Sequence, residues 1–289
     1  MAEMDGLQIV ARPSSHPAPY TVIRPSSRRA RLDLKEIWEY RELLYFLAWR
    51  DIKVRYKQTA IGVLWAIIQP FMTMVLFSLV FGRIANISSG SVPYPVFAYA
   101  ALVPWTFFAS SLTASTNAVT ANARMLSKVY FPRVLLPISA VTGALLDFGI
   151  ALSLLIVLMF YFQVSPTPSL LFFPFFVLML VVMALAGGLW LAALNALYQD
   201  VRYAVPFLIQ IWLFASPVAY PSSLVPPSWR VLYECNPLAG IIEGIRWTVL
   251  SGPQPSSPAL LLSALMTTAL LAGGVLFFHY AERTFADTL

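Results

Sequence analysis

The chain has 289 residues, of which 59% are hydrophobic and only 11% charged, and its formal net charge is +6. With a strongly positive mean hydropathy it has too little polar surface to stay in water, which excludes a soluble globular protein and makes the bilayer its solvent. A lone Cys235 cannot close an internal disulfide, and no Cys/His cluster has metal-ligand spacing, so neither redox nor metal chemistry is expected.

Residues 1–33 contain Glu3, Asp5 and several prolines without an apolar stretch, so they read as a disordered cytoplasmic tail rather than a signal peptide. Arg28-Arg29 has no hydrophobic region after it, which removes a twin-arginine signal as well. The segment Leu34–Lys57 places Leu34, Ile37, Trp38, Leu44, Tyr45, Leu47 and Ala48 at mostly helical spacing, with charged residues between them. That pattern predicts an N-terminal interfacial amphipathic helix lying along the inner leaflet. It ends in a basic cluster, Arg50, Lys53, Arg55 and Lys57, each cation worth ~1 kcal/mol against an anionic surface. Two roles suit the cluster: orienting and anchoring the chain, or gathering a phosphate-bearing lipid head at the entrance to a pathway.

A helix needs about 20 apolar residues to cross ~30 Å of hydrocarbon. The candidate spans are Ile61–Phe81, Phe97–Ala118, Val134–Phe162, Leu171–Leu197, Ala204–Ala219 and Pro258–His279, giving an all-α integral membrane protein with six transmembrane helices. The fifth is short and closes at Ser216-Pro217, which reads as a run into a bent or re-entrant segment. No block repeats another, in contrast to the internal symmetry common in secondary transporters.

More than half of the 19 Lys and Arg residues precede the first span, and Arg124, Lys128, Arg133 and Arg202 fall in the loops after the second and fourth. The positive-inside rule then places both termini and these loops in the cytoplasm, and only Arg83, Arg230 and Arg246 outside. Within Asn117–Pro132, Arg124 and Lys128 share a helical face while Met125, Leu126, Val129 and Tyr130 occupy the others, predicting a short amphipathic helix closed by Pro132. Such a helix suits either a bed in lipid or docking into a cytoplasmic partner.

Asp147, inside the third span, is costly there if ionised, by ~2.5–3.5 kcal/mol, and calls for a partner across the bundle. Gln69, Asn195 and Gln210 are the expected ones. On the outer side, Pro226-Pro227-Ser228 suits the start of one helix and Asn236-Pro237 the cap and first residue of another reaching about Leu250. Gly240, Gly244 and Trp247 with the charged Glu243 and Arg246 suggest that the second dips into the outer leaflet, where irregular backbone needs protein or a water-filled cavity around it. The aromatic content of 14% fits interfacial belts, and aromatic faces on the spans also suit the lining of a pathway. Trp65, Trp105, Phe107, Phe108, Trp212 and Tyr220 are the candidates on the spans.

Five segments occur in an order that resembles one family: RDIKVRYKQTAIGVLW from Arg50, SKVYFPRVLLP from Ser127, LNALYQDVR from Leu194, QIWLFASPVAYP from Gln210, and NPL from Asn236. From Leu34 to its end the chain is similar to the permease subunit of type 2 ABC exporters for polysaccharides and polyol phosphates: O-antigen, capsule and teichoic acid exporters. The resemblance implies a homodimer around a central channel in the bacterial inner membrane, bound to two copies of a separate ABC ATPase. The chain has no G-x-x-x-x-G-K-[ST] phosphate loop, so ATP and magnesium belong to that partner and the chain itself is no enzyme and carries no cofactor.

By the same resemblance, the loop helix with Arg124, Met125, Lys128, Val129 and Tyr130 fits a groove of the ATPase, and Arg50, Lys53, Arg55 and Lys57 border a lateral gate for an undecaprenyl-linked polysaccharide. Asn236, Pro237, Glu243 and Arg246 then belong to a re-entrant external gate. One departure stands out: Gln199-Asp200 replaces an Arg-Asp frequent in the family, so that arginine's contact is either made by Arg202 or lost. Export of a small hydrophobic compound is the alternative function. A membrane-embedded transferase is disfavoured, because the only histidines are His16 and His279 and no acids group at one interface. Neither substrate class involves nucleic acid; the remaining partner is membrane lipid.

Overall fold

The computed structural model describes residues 34–57, 62–90, 92–250, 252 and 254–285. The expected tail over 1–33 lies outside the described residues, and so does Ile61, the expected start of the first span. The described residues are helical throughout, without a strand: α1 Leu34–Glu39, α2 Arg41–Lys57, α3 Trp65–Phe77, α4 Tyr94–Ala121, α5 Ala123–Leu126, α6 Leu135–Tyr161, α7 Phe173–Leu197, α8 Val201–Phe214, α9 Pro227–Glu234, α10 Pro237–Leu250 and α11 Ser257–Glu282.

Five helical stretches are long and apolar enough to cross a membrane: Trp65–Ile84, Tyr94–Ala121, Leu135–Tyr161, Pro168–Leu197 and Ser257–Glu282. The chain is therefore a multi-pass membrane protein. The expected fifth span, Ala204–Ala219, is short as anticipated: it is α8, whose 14 residues rise only about 21 Å at 1.5 Å each, less than the hydrocarbon thickness. Beyond Phe214 the chain turns, and Ser216–Ala219 packs back as buried non-helical backbone.

α4 outruns its expected span, Phe97–Ala118, at both ends, and polar side chains along its last turns bond to their own helix. In α4, Thr113 and Thr116 donate to the carbonyls of Ala109 and Leu112 at 2.9 and 2.7 Å, and Asn117 donates to Thr113 at 3.0 Å. Asn122 then breaks the helix, its side chain returning to the Ala118 carbonyl at 2.7 Å. α3 instead widens into a π-helical turn over Ser78–Ile84, where the Ala85 N–H reaches back to Val80.

α4 is the axis of the bundle, packed along α6 and α7, with α11 on the far side of α7. Of its most apolar stretch 78% is buried, against 17% for α3 and α11, so α3 and α11 present apolar surface outward. Small residues set the close approaches. A Cβ on Gly188 of α7 would lie 2.8 Å from Ser115 of α4, and one on Gly274 of α11 would lie 3.0 Å from the Ala186 carbonyl.

α1 and α2 lie against the α5 end of the bundle, burying Leu47 and Ala48 and packing Ile37, Tyr40, Leu43 and Leu44 on a cluster that includes Phe131, Leu135, Leu136 and Phe278. Trp38 and Tyr45, expected on that inner face, point outward with Phe46, Trp49 and Val54. Apolar side chains thus occupy both faces, so the segment is not the simple two-sided amphipath its spacing suggests. Ala48 and Ile52 meet α6 at Gly143, whose missing Cβ would contact both residues at 3.9 Å. α2 continues along α6 from there, which carries its basic end to Asp147, about 18 Å along α6 at 1.5 Å per residue.

Candidate functional site

Three groups of candidate residues occupy three places on the bundle. At the α5 end, the expected amphipathic helix over Asn117–Pro132 is the tail of α4, then the single turn α5, then a turn-rich strap. Met125 and Leu126 pack inward, and Phe131, 3% exposed, anchors the strap in the core. Arg124, Lys128, Val129 and Tyr130 point away from the protein, Val129 and Tyr130 with 57% and 68% of their surface exposed. Two apolar side chains flanked by two cations thus lie exposed together on a braced loop.

Arg133 braces this strap, approaching Glu282 of α11 at 3.9 Å, donating to the Glu282 carbonyl, and lying over the Phe285 ring. Neighbouring α8 is fastened by Asn195, which donates to the Thr116 carbonyl of α4 at 2.9 Å and accepts from the Arg202 N–H at 3.2 Å. Arg202 itself points outward and bonds to the Tyr203 hydroxyl at 2.8 Å. Its guanidinium is thus placed on the same end of the bundle as Arg124 and Lys128.

The second group is the basic cluster of α2, which is less positive than its four cations imply. Arg50 pairs with its neighbour Asp51 at 2.8 Å, Lys53 lies over the Trp49 ring, and Arg55 pairs with Asp147. Tyr56 donates to the other Asp147 oxygen. Asp147 therefore has the partner its position demands, but the expected Gln69, Asn195 and Gln210 are not it. A charged guanidinium with a phenol satisfies a carboxylate more completely than a neutral amide does, and Asn195 is already engaged at the α5 end. Two carboxylates among the four cations leave Lys53 and Lys57 as the cluster's exposed cations without a carboxylate at ion-pair distance among the described residues.

The third group gathers at the opposite end, around α8, α9 and α10. Asn236 is the knot: its amide N–H donates to the Ser216 hydroxyl at 2.9 Å and the Ala215 carbonyl at 3.2 Å, and its oxygen accepts from Trp212 Nε1 and the Leu238 N–H, both at 3.1 Å. That last bond caps α10, with Pro237 in the first helical position. Arg246 is buried at 6% exposure, donating to the carbonyls of Phe97 at 3.2 Å and Val218 at 2.6 Å, with its guanidinium 3.7 Å from the centre of the Phe97 ring. It ties α10 to α4 and to the turn after α8. Gly244 is where α10 meets α7, since any Cβ there would run into the Phe176 ring.

The aromatic candidates divide. Phe108, Phe107 and Trp105 are 0%, 2% and 5% exposed and line no open surface in this conformation. Phe107 packs on Phe148 and Phe108 on Trp212, edge to face with centroids 5.4 and 5.2 Å apart. Trp212 and Tyr220 are half-buried, and Trp65 is exposed at the start of α3.

Beside the third group lies a feature that spacing does not reveal: a cavity of about 650 Å³. Its walls come from the loop after α3, the segment after α8, α9, α10 and the start of α11, and include Tyr233, Glu243, Arg246, Trp247 and Ser263. The Tyr233 hydroxyl is buried with the Tyr220 phenol as its neighbour, and burial pushes its phenol far above the ordinary tyrosine range. It remains a neutral O–H donor. Ser263, 1% exposed, has a hydroxyl with no hydrogen-bond partner among the described residues.

Residues 42–250 match the family described as ABC-2 type transporter. Over 259 residues the chain is 29% identical to the O-antigen export system permease protein RfbA of Myxococcus xanthus, covering 89% of this chain and 98% of that one. An O-antigen export system permease protein RfbA of Klebsiella pneumoniae is 29% identical over 212 residues, covering 73% and 81%. The polysialic acid transport protein KpsM of Escherichia coli is 24% identical over 242 residues, covering 81% and 91%. With a family match spanning most of its length and carrying α2 through α10, the chain belongs to the ABC-2 type transporter family.

Proposed function

We propose that this chain is the permease subunit of an ATP-driven exporter that moves a lipid-linked polysaccharide out of the bacterial cytoplasm across the inner membrane. The relatives' names support the substrate class. The observation that carries the coupling is the strap after α4, with Arg124, Lys128, Val129 and Tyr130 presented outward on a buried Phe131. A separate ABC ATPase, holding ATP and magnesium, docks there, and Arg202 adds a cation to the same face.

The concentration of cations at the α5 end places it in the cytoplasm by the positive-inside rule, with both termini on that side. α8 and the buried turn after it then complete a sixth crossing that neither makes alone, and α9 with α10 forms a re-entrant outer gate. Two copies of the chain meet through outward apolar surface such as that of α3 and of α8, whose Phe207, Leu208, Ile211 and Phe214 are exposed. The undecaprenyl diphosphate head enters beside α2, where Lys53 and Lys57 attract it and the Arg55–Asp147 pair holds the wall. Nucleotide binding draws the two ATPases together, and the strap passes this movement to α4 and α6, biasing a bistable dimer toward its open state.

The test is ATP hydrolysis by the chain reconstituted in nanodiscs with its cognate ATPase. Undecaprenyl-linked glycan is expected to raise hydrolysis several-fold, with no response to small hydrophobic compounds. Stimulation by the small compounds alone contradicts polysaccharide export.

A further inference from the structure

The cavity at the outer end has the chemistry of a ligand site that the packing of the gate does not use. Gly240, Glu243 and Trp247 fall at positions i, i+3 and i+7 of α10, one helical face, and all line it. Gly240 lets α11 approach so closely that a Cβ there would run into the Ser263 hydroxyl. That approach keeps the unpartnered Ser263 hydroxyl at the wall, which Tyr233 also lines. A buried hydroxyl without a partner is unfavourable until something bonds to it.

Glu243 adds a half-buried carboxylate that makes no hydrogen bond or ion pair with any described residue. Trp247 contributes a large aromatic side chain, stacked on Phe172 at 5.6 Å and half-buried at the cavity wall. Arg230 and Glu234 approach each other at 3.7 Å on the same lining.

We propose that this cavity binds one short, uncharged stretch of the exported polymer, a neutral or amino-sugar saccharide, on the outer side of the gate. A sugar ring offers vicinal hydroxyls, which a carboxylate accepts in pairs, and C–H faces, which pack against indole; its acceptor oxygens suit the O–H groups of Tyr233 and Ser263. The volume falls within the ~300–1,000 Å³ usual for small-ligand sites, enough for a short saccharide. Charge decides the class. The lining's two arginines balance its two glutamates: Arg230 lies beside Glu234, and Arg246, although its N–H groups bond to the carbonyls of Phe97 and Val218, keeps its positive charge and acts on Glu243. A lining without net charge suits an uncharged ligand and has no surplus cation to neutralise a uronic, sialic or phosphorylated sugar. Such a site rectifies transport, holding each emerging stretch against backward sliding while the gate resets.

The site rests on the proposed polysaccharide export for its choice of ligand. Its test is binding to the full chain in nanodiscs, read by saturation-transfer NMR, of N,N′-diacetylchitobiose, mannobiose and galactobiose, with a uronic-acid-containing hyaluronan disaccharide as the anionic counterpart. At least one neutral disaccharide is expected to bind, Glu243→Ala to weaken it tenfold or more, and Glu243→Gln to weaken it less. The anionic disaccharide is expected to bind at least tenfold more weakly and to gain from Glu243→Ala. An unchanged elution profile on size exclusion shows that the variants fold. Binding of none of the neutral sugars, equal binding by wild type and Glu243→Ala, or preference for the anionic sugar overturns the site. Those results leave polysaccharide export standing, whereas a chain that binds the disaccharides but whose cognate ATPase ignores lipid-linked glycan overturns export and leaves the site.

Discussion

Replacing Asp147 by Leu is expected to cut both the amount of inserted protein and the export of polymer by tenfold or more. The carboxylate is shared by Arg55 and Tyr56 against the middle of α6. Without it, Arg55 stands at that depth unpaired, and an uncompensated arginine in a span costs ~2.5–3.5 kcal/mol, roughly two decades in an equilibrium constant. Both side chains keep some exposure, 36% and 22%, which lowers that penalty wherever water reaches them. The exchange Arg55→Asp with Asp147→Arg restores the attraction and should return protein abundance toward the native level, measured by quantitative blotting of the membrane fraction. If Asp147→Leu alone inserts and exports normally, the pair contributes nothing.

Charge reversal at the strap, Arg124→Glu with Lys128→Glu, should abolish export while leaving the chain inserted at its native level. Both side chains are exposed and the loop's fold depends on Phe131, Met125 and Leu126 rather than on them, so stability is spared. Docking is not spared, because like charges juxtaposed across an interface cost several kcal/mol. The measurement is co-purification of the ATPase together with surface polymer. Retained ATPase and normal export would show that the strap is not the coupling contact.

The bundle was legible where one physical signal dominates. Long apolar runs located five helices, and Asn236-Pro237 announced the start of α10 because a side-chain cap followed by proline has few other uses. Hydropathy marked the α8 run as short and ending near Ser216-Pro217, but not that the residues beyond Phe214 are buried, non-helical backbone. It also could not tell a lining aromatic from a packed one: Phe107 and Phe108 read the same in sequence as Trp65, and only tertiary contacts separate them.

Long-range pairing was the least legible part of the site. Arg55 and Asp147 are 92 residues apart, and no local periodicity links them. The cavity beside α10 draws its walls from segments far apart in the sequence, so Ser263 and Tyr233 carried no signal until α9, α10 and α11 were in place. The cations of α2 were visible, but their partial neutralisation by Asp51 and Asp147 became apparent only with the structure.

Export of a lipid-linked glycan is tested most directly by depleting this chain in its host and measuring undecaprenyl-linked glycan in the inner membrane, by extraction and mass spectrometry, alongside surface polymer. The account predicts that the lipid-linked glycan accumulates on the cytoplasmic leaflet as surface polymer disappears. An unchanged lipid-linked pool with surface glycan intact would contradict it.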